Sequence, residues 1–361
     1  MIAHACTSVN TFASALLAWY DQHGRKDLPW QRERTPYRVW LSEVMLQQTQ
    51  VRTVIPYFER FVAALPTLAA LAAAPEDRVL ALWSGLGYYS RARNLRCAAR
   101  ICVEQFAGNL PRDIEELSTL PGIGRSTAAA ILAQAFGDRH AILDGNVRRV
   151  FARWHGVHGW PGGPAAQRTL WQFADEHTPH QRVADYTQAI MDLGATLCTR
   201  SKPQCARCPV ASGCVALHEN LTSVLPQAKP RRALPTRVTT MLIVRDARGR
   251  VLLERRPPTG VWARLWSLPE IDGAIDGAAS APDRLRRCYS LHATAQTTLK
   301  SFVHTFSHYH LHITPHVLAA AVEVAHVADD PDHAWYTSAE LATLGLPAPV
   351  RRLLQSLEEN R

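Results

Sequence analysis

The sequence lacks the features that mark membrane, secreted and repeat proteins. No apolar run reaches the roughly 20 residues that a transmembrane helix needs, and residues 1–10 do not join a basic stretch to an apolar one as a secretory signal does. No unit recurs at a fixed period, which excludes solenoids and propellers. The 8 cysteines include one cluster and several scattered residues, which is not a disulfide framework. We therefore expect a globular protein of the reducing cytoplasm.

Acidic residues are also in deficit, because 31 aspartates and glutamates accompany 40 lysines and arginines, for a formal net charge of +9. Such a surplus favours a polyanionic partner, nucleic acid first, since it attracts phosphates and steers association. The 361 residues of the chain exceed what one ordinary hydrophobic core contains. We therefore expect two or three domains.

The pattern of apolar residues divides the chain at a proline-rich basic segment. Residues 1–225 carry apolar side chains at helical spacing almost throughout, which predicts a mainly α domain. Residues 226–237, PQAKPRRALPTR, are typical of a semi-stiff linker. Residues 238–361 alternate as strands do and end in a helical pattern, which predicts a smaller α+β domain. In 302–312 the even positions are phenylalanine or histidine, and one strand would place them all on one face, as a polar contact surface or a metal site.

The most informative pattern in the helical part lies between residues 113 and 154. Two helical stretches within 117–136 flank a tight Leu-Pro-Gly-Ile-Gly turn, in which Gly122 and Gly124 let the backbone approach a ligand closely. The free N–H groups that begin the second helix form a seat for a phosphate, although a helical hairpin without a ligand is an equal alternative. Asp144 follows, either as the cap of a third helix or as a carboxylate near that seat.

Half of the cysteines lie in one loop, residues 198–214, with six, two and five residues between neighbours: Cys198, Cys205, Cys208 and Cys214. In a reducing compartment such a loop is expected to bind metal. Zinc held by four thiolates is one option, although only one pair has the two-residue spacing that zinc loops usually repeat. An iron–sulfur cubane accepts four thiolates from one winding loop and fits as well.

Glu43 is an isolated acidic residue in a mostly apolar helical stretch. It either faces solvent or lies in a pocket, where desolvation would raise its pKa and let it hold a proton near neutral pH. Gln48 and Tyr88 lie in polar or glycine-rich breaks of the pattern. Planar groups at such breaks either pack at helix ends or insert into a base stack.

Several motifs occur in one order along the chain: WLSEVMLQQTQV, WSGLGYYSRARNL, LPGIGRSTA, LDGNV and the four-cysteine loop. Together they resemble the MutY adenine DNA glycosylases of the helix-hairpin-helix superfamily, and the resemblance extends into the C-terminal domain. It implies a mainly α glycosylase domain with a 4Fe–4S cluster loop, followed by a smaller α+β Nudix-like domain. It also implies a monomer that works at the nucleoid on double-stranded DNA containing adenine opposite 8-oxoguanine or guanine.

The resemblance implies a role for each candidate residue. Glu43 would protonate the flipped adenine, Asp144 would face the oxocarbenium-like sugar, and Asn146 would lie near that sugar. The four cysteines would ligate the cluster. Contacts with DNA are implied for Gln48, Thr49, Tyr88, Gly122, Gly124, Ser126, Phe306, Ser307 and His308.

Two positions bear on the type of reaction. Relatives of the endonuclease III type, which also cut the strand, carry a lysine where this chain has Ser126, whose hydroxyl cannot form an imine. We therefore predict a monofunctional glycosylase. Residues 271–287 lack the glutamates with which an active Nudix hydrolase binds metal, so we predict no nucleotide hydrolysis. A glycosylase–lyase and a non-enzymatic iron–sulfur DNA-binding protein are the alternatives, disfavoured by Ser126 and by the pair of Glu43 and Asp144.

Overall fold

A computed structural model describes residues 3–229, 233–273, 280–320 and 332–359. Residues 230–232 of the predicted linker, and 274–279 of the segment predicted to lack hydrolase glutamates, lie outside the described residues. The chain forms two compact units by its internal contacts. We call Met1–Ala73 with Asn94–Arg231 the helical unit, and Ala74–Arg93 with Arg232–Arg361 the sheet unit.

Helices account for most of the described chain before residue 225. In chain order they are α1 Ala3–His23, α2 Pro29–Arg32, α3 Pro36–Leu46, α4 Val51–Ala64, α5 Leu68–Ala73, α6 Glu76–Trp83, α7 Ser90–Gln105, α8 Ile114–Thr119, α9 Arg125–Phe136, α10 Gly145–Trp154, α11 Pro164–His177, α12 Val183–Thr196 and α13 Val215–His218. Among the described residues, no helix has the length and apolar character needed to cross a membrane.

The core of the helical unit forms around α9, α10 and α12. The alanine-rich α9 is buried over most of its length, as expected of a helix that is apolar on every side. It ends at Gly137, whose left-handed backbone (φ 76°) gives the helix a glycine C-cap. On α10 the buried residues Val147, Val150 and Phe151 face this core at helical spacing. Helix α12 packs against both α9 and α10, and α9 also packs against α3.

The described strands form one mixed sheet. The same part of the chain also contains three helices: α14 Ser280–Tyr289, α15 Ser338–Leu341 and α16 Ala348–Glu359. The strands are β1 Thr236–Arg245, β2 Val251–Arg255, β3 Trp266–Ser267, β4 Glu270–Asp272, β5 Ala293–Thr298, β6 Phe302–Thr305, β7 His310–Ala320 and β8 His333–Tyr336. The main path runs β3-β2-β1-β7-β5, with β1 and β7 parallel. Separate apolar clusters cover its two faces.

The alternating stretch 302–312 is not one strand. The chain turns between β6 and β7, where the Phe306 N–H donates to the Tyr309 carbonyl at 2.9 Å. His304 therefore pairs with Leu311 across the hairpin. The prediction that all the even positions share one strand face is wrong, because a period of two says nothing about a reversal inside the run.

Residues 74–93 group with the sheet unit, although the composition of the chain placed them within the α domain 1–225. Asp77 on α6 accepts two hydrogen bonds from Arg255 on β2, at 2.9 and 2.8 Å. The Tyr89 hydroxyl donates to the carbonyl of Leu346 at 3.1 Å. A change of composition marks where a chain enters a new domain, but it does not reveal an earlier segment that packs there.

Candidate active site

A cleft of about 680 Å³ opens in the helical unit, within the roughly 300–1,000 Å³ typical of ligand sites. It brings together residues that lie far apart in sequence: Glu43 from α3, Thr49 from the loop after it, Ser126 from α9, and Asp144 and Asn146 from the start of α10. Both carboxylates therefore line one cavity. Trp30, Leu46, Ile142 and Met191 supply apolar walls.

Glu43 projects from a helix whose start is fixed by Thr35. The Thr35 side chain accepts from the Arg38 N–H, and Pro36 occupies the first helical position. The residues on either side of Glu43 are buried. Gln134 Nε2 donates to Glu43 Oε1 at 3.1 Å. Burial in the protein raises the pKa of Glu43 to about 7, the negative charge of Asp144 adds to the rise, and the Gln134 hydrogen bond opposes it.

Asp144 is the N-cap of α10, as one of its two interpretations predicted, and it also lines the cleft. Its Oδ1 accepts from the Val147 N–H at 2.7 Å, and its Oδ2 accepts from Asn146 Nδ2 at 3.3 Å. Burial is the largest influence and raises the pKa of Asp144 above its ordinary value, and the hydrogen bonds from Val147 and Asn146 and the charges of Arg149 and Arg148 offset only part of this rise. The positive end of the helix dipole also favours a negative charge at this position.

Asn146 and the loop before Asp144 are held by their own contacts. Arg149 Nη2 donates to Asn146 Oδ1 at 2.8 Å and to the carbonyl of Gly194 at 2.6 Å. A Cβ at Gly194 would lie 2.6 Å from that of Asn146, so only glycine lets α12 pass this closely. Ser126 Oγ accepts from the Leu143 N–H at 3.0 Å and fixes the backbone that leads into the N-cap.

The helix-hairpin-helix turn has the predicted form. Gly122 adopts a left-handed backbone (φ 81°), and a Cβ there would lie 3.0 Å from that of Asn94. Gly124 is the N-cap of α9 and offers no side chain to its first N–H groups. Those groups point outward at the positive end of a long helix, the arrangement that binds phosphates in other proteins. Gln48 is exposed beside this region and has a strained backbone, with φ 59°.

The cysteine loop wraps around a small apolar cavity of about 30 Å³. The cavity is lined by the four predicted ligands: Cys198, Cys205, Cys208 and Cys214. Among the described residues, no group of three or more histidine, cysteine, aspartate or glutamate side chains is arranged to hold a metal ion. Four thiols on one apolar cavity are a donor set that an iron–sulfur cluster takes, and a tetrahedral zinc ion uses the same donor set.

Arg153 is the residue that fastens this loop, and sequence reasoning missed it. Its buried guanidinium donates to the Cys198 sulfur at 3.4 Å, to the Thr199 carbonyl at 2.7 Å and to the Arg200 carbonyl at 3.0 Å. It also donates to the carbonyl of Leu225 at 2.7 Å. A charged residue in the last turn of an otherwise apolar helix face was the available signal.

The remaining predicted DNA contacts belong to the sheet unit. Tyr88 is 48% exposed on a left-handed backbone, with φ 49°. Phe306, Ser307 and His308 form the β6–β7 turn, and the last two are exposed. The Phe306 ring packs 5.2 Å from that of Trp262, centroid to centroid, which anchors the turn to the sheet unit.

Family models match both parts of the chain. The model described as "HhH-GPD superfamily base excision DNA repair protein" matches residues 41–176, and the one described as "NUDIX domain" matches residues 240–356. A solved thermostable thymine-DNA glycosylase aligns at 26% identity and a TM-score of 0.52, covering 59% of this chain and 98% of its own. An endonuclease III–DNA complex aligns at 21% identity and a TM-score of 0.51, covering 60% and 98%, and shares the fold. The predicted fold class is thereby confirmed.

Curated relatives match nearly the whole chain. The adenine DNA glycosylase of Homo sapiens is 34% identical over 404 residues, covering 96% of this chain and 74% of the human protein. That of Buchnera aphidicola subsp. Acyrthosiphon pisum is 33% identical over 349 residues, covering 97% of this chain and 98% of the relative. With such identity along both chains, the protein belongs to the adenine DNA glycosylases.

Proposed function

We propose that this base excision repair glycosylase binds double-stranded DNA as a monomer and removes adenine paired with 8-oxoguanine or guanine. The observation that carries the proposal is that Glu43 and Asp144 line one cleft and that the pKa of Glu43 is raised to about 7. One carboxyl group that holds a proton at neutral pH and one that stays charged are the usual division of labour at a glycosidic bond. Work on chromosomal mispairs would bring the protein to the nucleoid, and this stays a prediction.

In the proposed reaction adenine leaves the base stack and enters the cleft. Glu43 gives its proton to N7 of the ring, which makes the base a neutral leaving group. Asp144 is expected to be the ionised partner, because the Val147 N–H, Asn146 and the start of α10 all stabilise a negative charge there. Its charge stabilises the oxocarbenium-like sugar until water adds.

The cysteine loop is proposed to hold one 4Fe–4S cluster, as glycosylases of this family generally do. Four thiols line the cavity, and the Arg153 guanidinium beside the Cys198 sulfur offsets the negative charge that thiolates would bring. When bound, the cluster would fix the fold of residues 198–214. Arg207 and Lys202 lie between the ligands in sequence and would give this loop a basic face toward the DNA backbone.

The test is single-turnover release of adenine from a duplex that carries one 8-oxoguanine:adenine pair. The Glu43→Gln variant removes the acidic proton while keeping the size of the side chain, so the rate should fall by roughly a hundred- to ten-thousandfold with duplex affinity retained. Borohydride should trap no covalent enzyme–DNA complex, since Ser126 offers no amine. Full turnover by Glu43→Gln, or efficient lysine-dependent trapping, would contradict the proposal.

A further inference from the structure

A chain of buried amides runs from Glu43 into the interior of the helical unit. Gln134 on α9 donates from Nε2 to Glu43 Oε1 at 3.1 Å. Its own Oε1 accepts from Gln31 Nε2 at 2.8 Å. The same Gln31 nitrogen donates to Gln188 Oε1 at 2.6 Å. All three glutamines are buried, so their hydrogen bonds are made with one another and not with solvent.

Charged groups fix the direction of this chain at its inner end and at its middle amide. The buried Asp192 carboxylate can only accept, and it takes the Gln188 Nε2–H at 2.7 Å while Arg25 donates to it at 2.7 and 2.9 Å. Gln188 must therefore turn its carbonyl oxygen toward Gln31. The Arg34 guanidinium can only donate, and its Nε gives a hydrogen bond of 2.7 Å to Gln31 Oε1. Gln31 must therefore turn its nitrogen toward both neighbouring glutamines.

The orientation of the last amide follows. Gln134 accepts from Gln31 and can offer Glu43 only an N–H group. The carbonyl oxygen of a carboxylic acid is a better acceptor than its hydroxyl oxygen, so an N–H donated to Oε1 favours the form that carries the proton on Oε2. If the amide were reversed, it would present an acceptor and draw the proton of Glu43 away from the cleft.

We propose that Gln134 is a positioning residue for the glycosylase reaction proposed above: its oriented amide holds Glu43 Oε1, so that Oε2 presents the acidic proton to the base in the cleft. The inference rests on that proposed function, because it concerns the same carboxyl group. Gln134 touches no substrate in this proposal and acts only through Glu43. Nothing in the spacing of the chain had singled it out, since it interrupts the run AILAQAF only once.

Loss of the amide donor should alter the pH dependence of adenine release in a particular direction. The Gln134 N–H favours the ionised form of Glu43, and its removal should raise the pKa of Glu43 above its present value of about 7. Activity that needs protonated Glu43 declines as the pH rises through this pKa. In a plot of rate against pH, the alkaline limb, where activity falls, should therefore move to higher pH. Other charged groups at the cleft, or directly behind it, are Arg25, Arg52, Asp144, Arg148 and Asp192.

The experiment compares the parent protein with Gln134→Leu in kcat/KM for adenine release between pH 6 and 9, by roughly half-unit steps, on the 8-oxoguanine:adenine duplex. We expect kcat/KM near neutral pH to fall by roughly ten- to a hundredfold, because a displaced Glu43 no longer points its proton at the base. We also expect the alkaline limb of the pH profile to lie at higher pH. Duplex affinity should be unchanged. Gln134→Met, with a flexible side chain of similar volume, replaces the leucine variant if that variant does not fold.

The control is Leu132→Met, a volume-conserving change of a buried residue on the same helix, which should leave the rate and the limb as in the parent. A lower rate with an unmoved limb would mean that Gln134 only supports the packing of α9, and it would overturn the inference. The inference would also be overturned if the Gln134 variant that is measured released adenine at the parent rate and with the parent pH profile. Glu43→Gln is measured alongside, because activity in that variant would overturn the proposed function itself, whereas its inactivity leaves the Gln134 result to decide the inference.

Discussion

In the helical unit, Glu43 and Asp144 project into a cleft from the interior of one helix and the cap of another, whereas in the sheet unit Tyr88 and Ser307 lie on exposed turns. The carboxyl groups are held by neighbours that accept only one orientation, such as Gln134 and the Val147 N–H. Tyr88 is held by a strained backbone, and the Ser307 hydroxyl lies 3.4 Å from a ring nitrogen of the adjacent His308.

We propose that the difference corresponds to two physical tasks. Proton transfer needs a desolvated group aimed to within a fraction of an ångström, and buried hydrogen bonds provide that. Recognition of a base that stays in the duplex needs side chains that reach outward, and turns at the end of a sheet provide those. Substitutions in the helical unit should therefore act on the rate of bond cleavage, and substitutions in the sheet unit on the choice between mispairs.

Among the variants that compare the two units, the largest effect is expected for Asp144→Asn. The change removes the negative charge that we propose faces the sugar cation, so adenine release should slow by on the order of a hundred- to a thousandfold in single turnover. Asparagine is as good an N-cap as aspartate, so the thermal midpoint should stay nearly unchanged. If the thermal midpoint fell while turnover stayed normal, the proposed catalytic role would be contradicted and Asp144 would be a helix cap alone.

A matched control exists at another helix of the same unit. Asp113 caps α8 by accepting from the Glu115 and Glu116 N–H groups at 2.9 and 3.0 Å, and it is exposed. The same aspartate-to-asparagine change at this cap should leave adenine release as in the parent. An equal loss in Asp113→Asn would show that the experiment reports helix capping and not the charge of Asp144.

A smaller effect is expected for Ser307→Ala in the sheet unit. If the Ser307 hydroxyl contacts 8-oxoguanine, its loss should lower the rate on the 8-oxoguanine:adenine duplex by roughly fivefold, the value of one hydrogen bond. The rate on guanine:adenine should not change. Ser301→Ala is the control, since Ser301 is also exposed in this unit and pairs with Thr314 Oγ1 at 2.9 Å. Equal losses of rate on both duplexes would show that Ser307 does not distinguish 8-oxoguanine from guanine.

Local rules allowed much of the helical unit to be predicted from sequence. The turn at Gly122 and Gly124 was visible because glycine there permits a left-handed or closely packed backbone, and the cap at Asp144 was visible from its position before an apolar face. The turn between β1 and β2 is equally local, because Asp246 Oδ1 accepts from the Arg248 and Arg250 N–H groups. Each of these features is decided by residues within a few positions of one another.

What could not be predicted depends on contacts between distant residues. Whether Glu43 faced solvent or a pocket was undecided, because the answer lies in helices about a hundred residues away, where Gln134 and Asp144 are found. The glutamine chain joins positions 31, 134 and 188, and no spacing rule connects them. The grouping of residues 74–93 with the sheet was hidden for the same reason.

The smallest predicted effect concerns that segment. Asp77 and Arg255 form a partly exposed ion pair with two hydrogen bonds, which should stabilise the attachment of α6 to the sheet by less than about 1 kcal/mol. In Asp77→Asn, amide hydrogen exchange within residues 74–93 should quicken by less than about fivefold, while adenine release from guanine:adenine stays constant. The matched control is Asp138→Asn, which breaks a similar pair with Arg112 inside the helical unit, at 2.9 and 2.7 Å. If Asp77→Asn leaves exchange in 74–93 unaltered, or Asp138→Asn quickens it equally, then this ion pair does not join the Tyr88 segment to the sheet. Other contacts, such as the hydrogen bond from Tyr89 to the Leu346 carbonyl, would then have to do so.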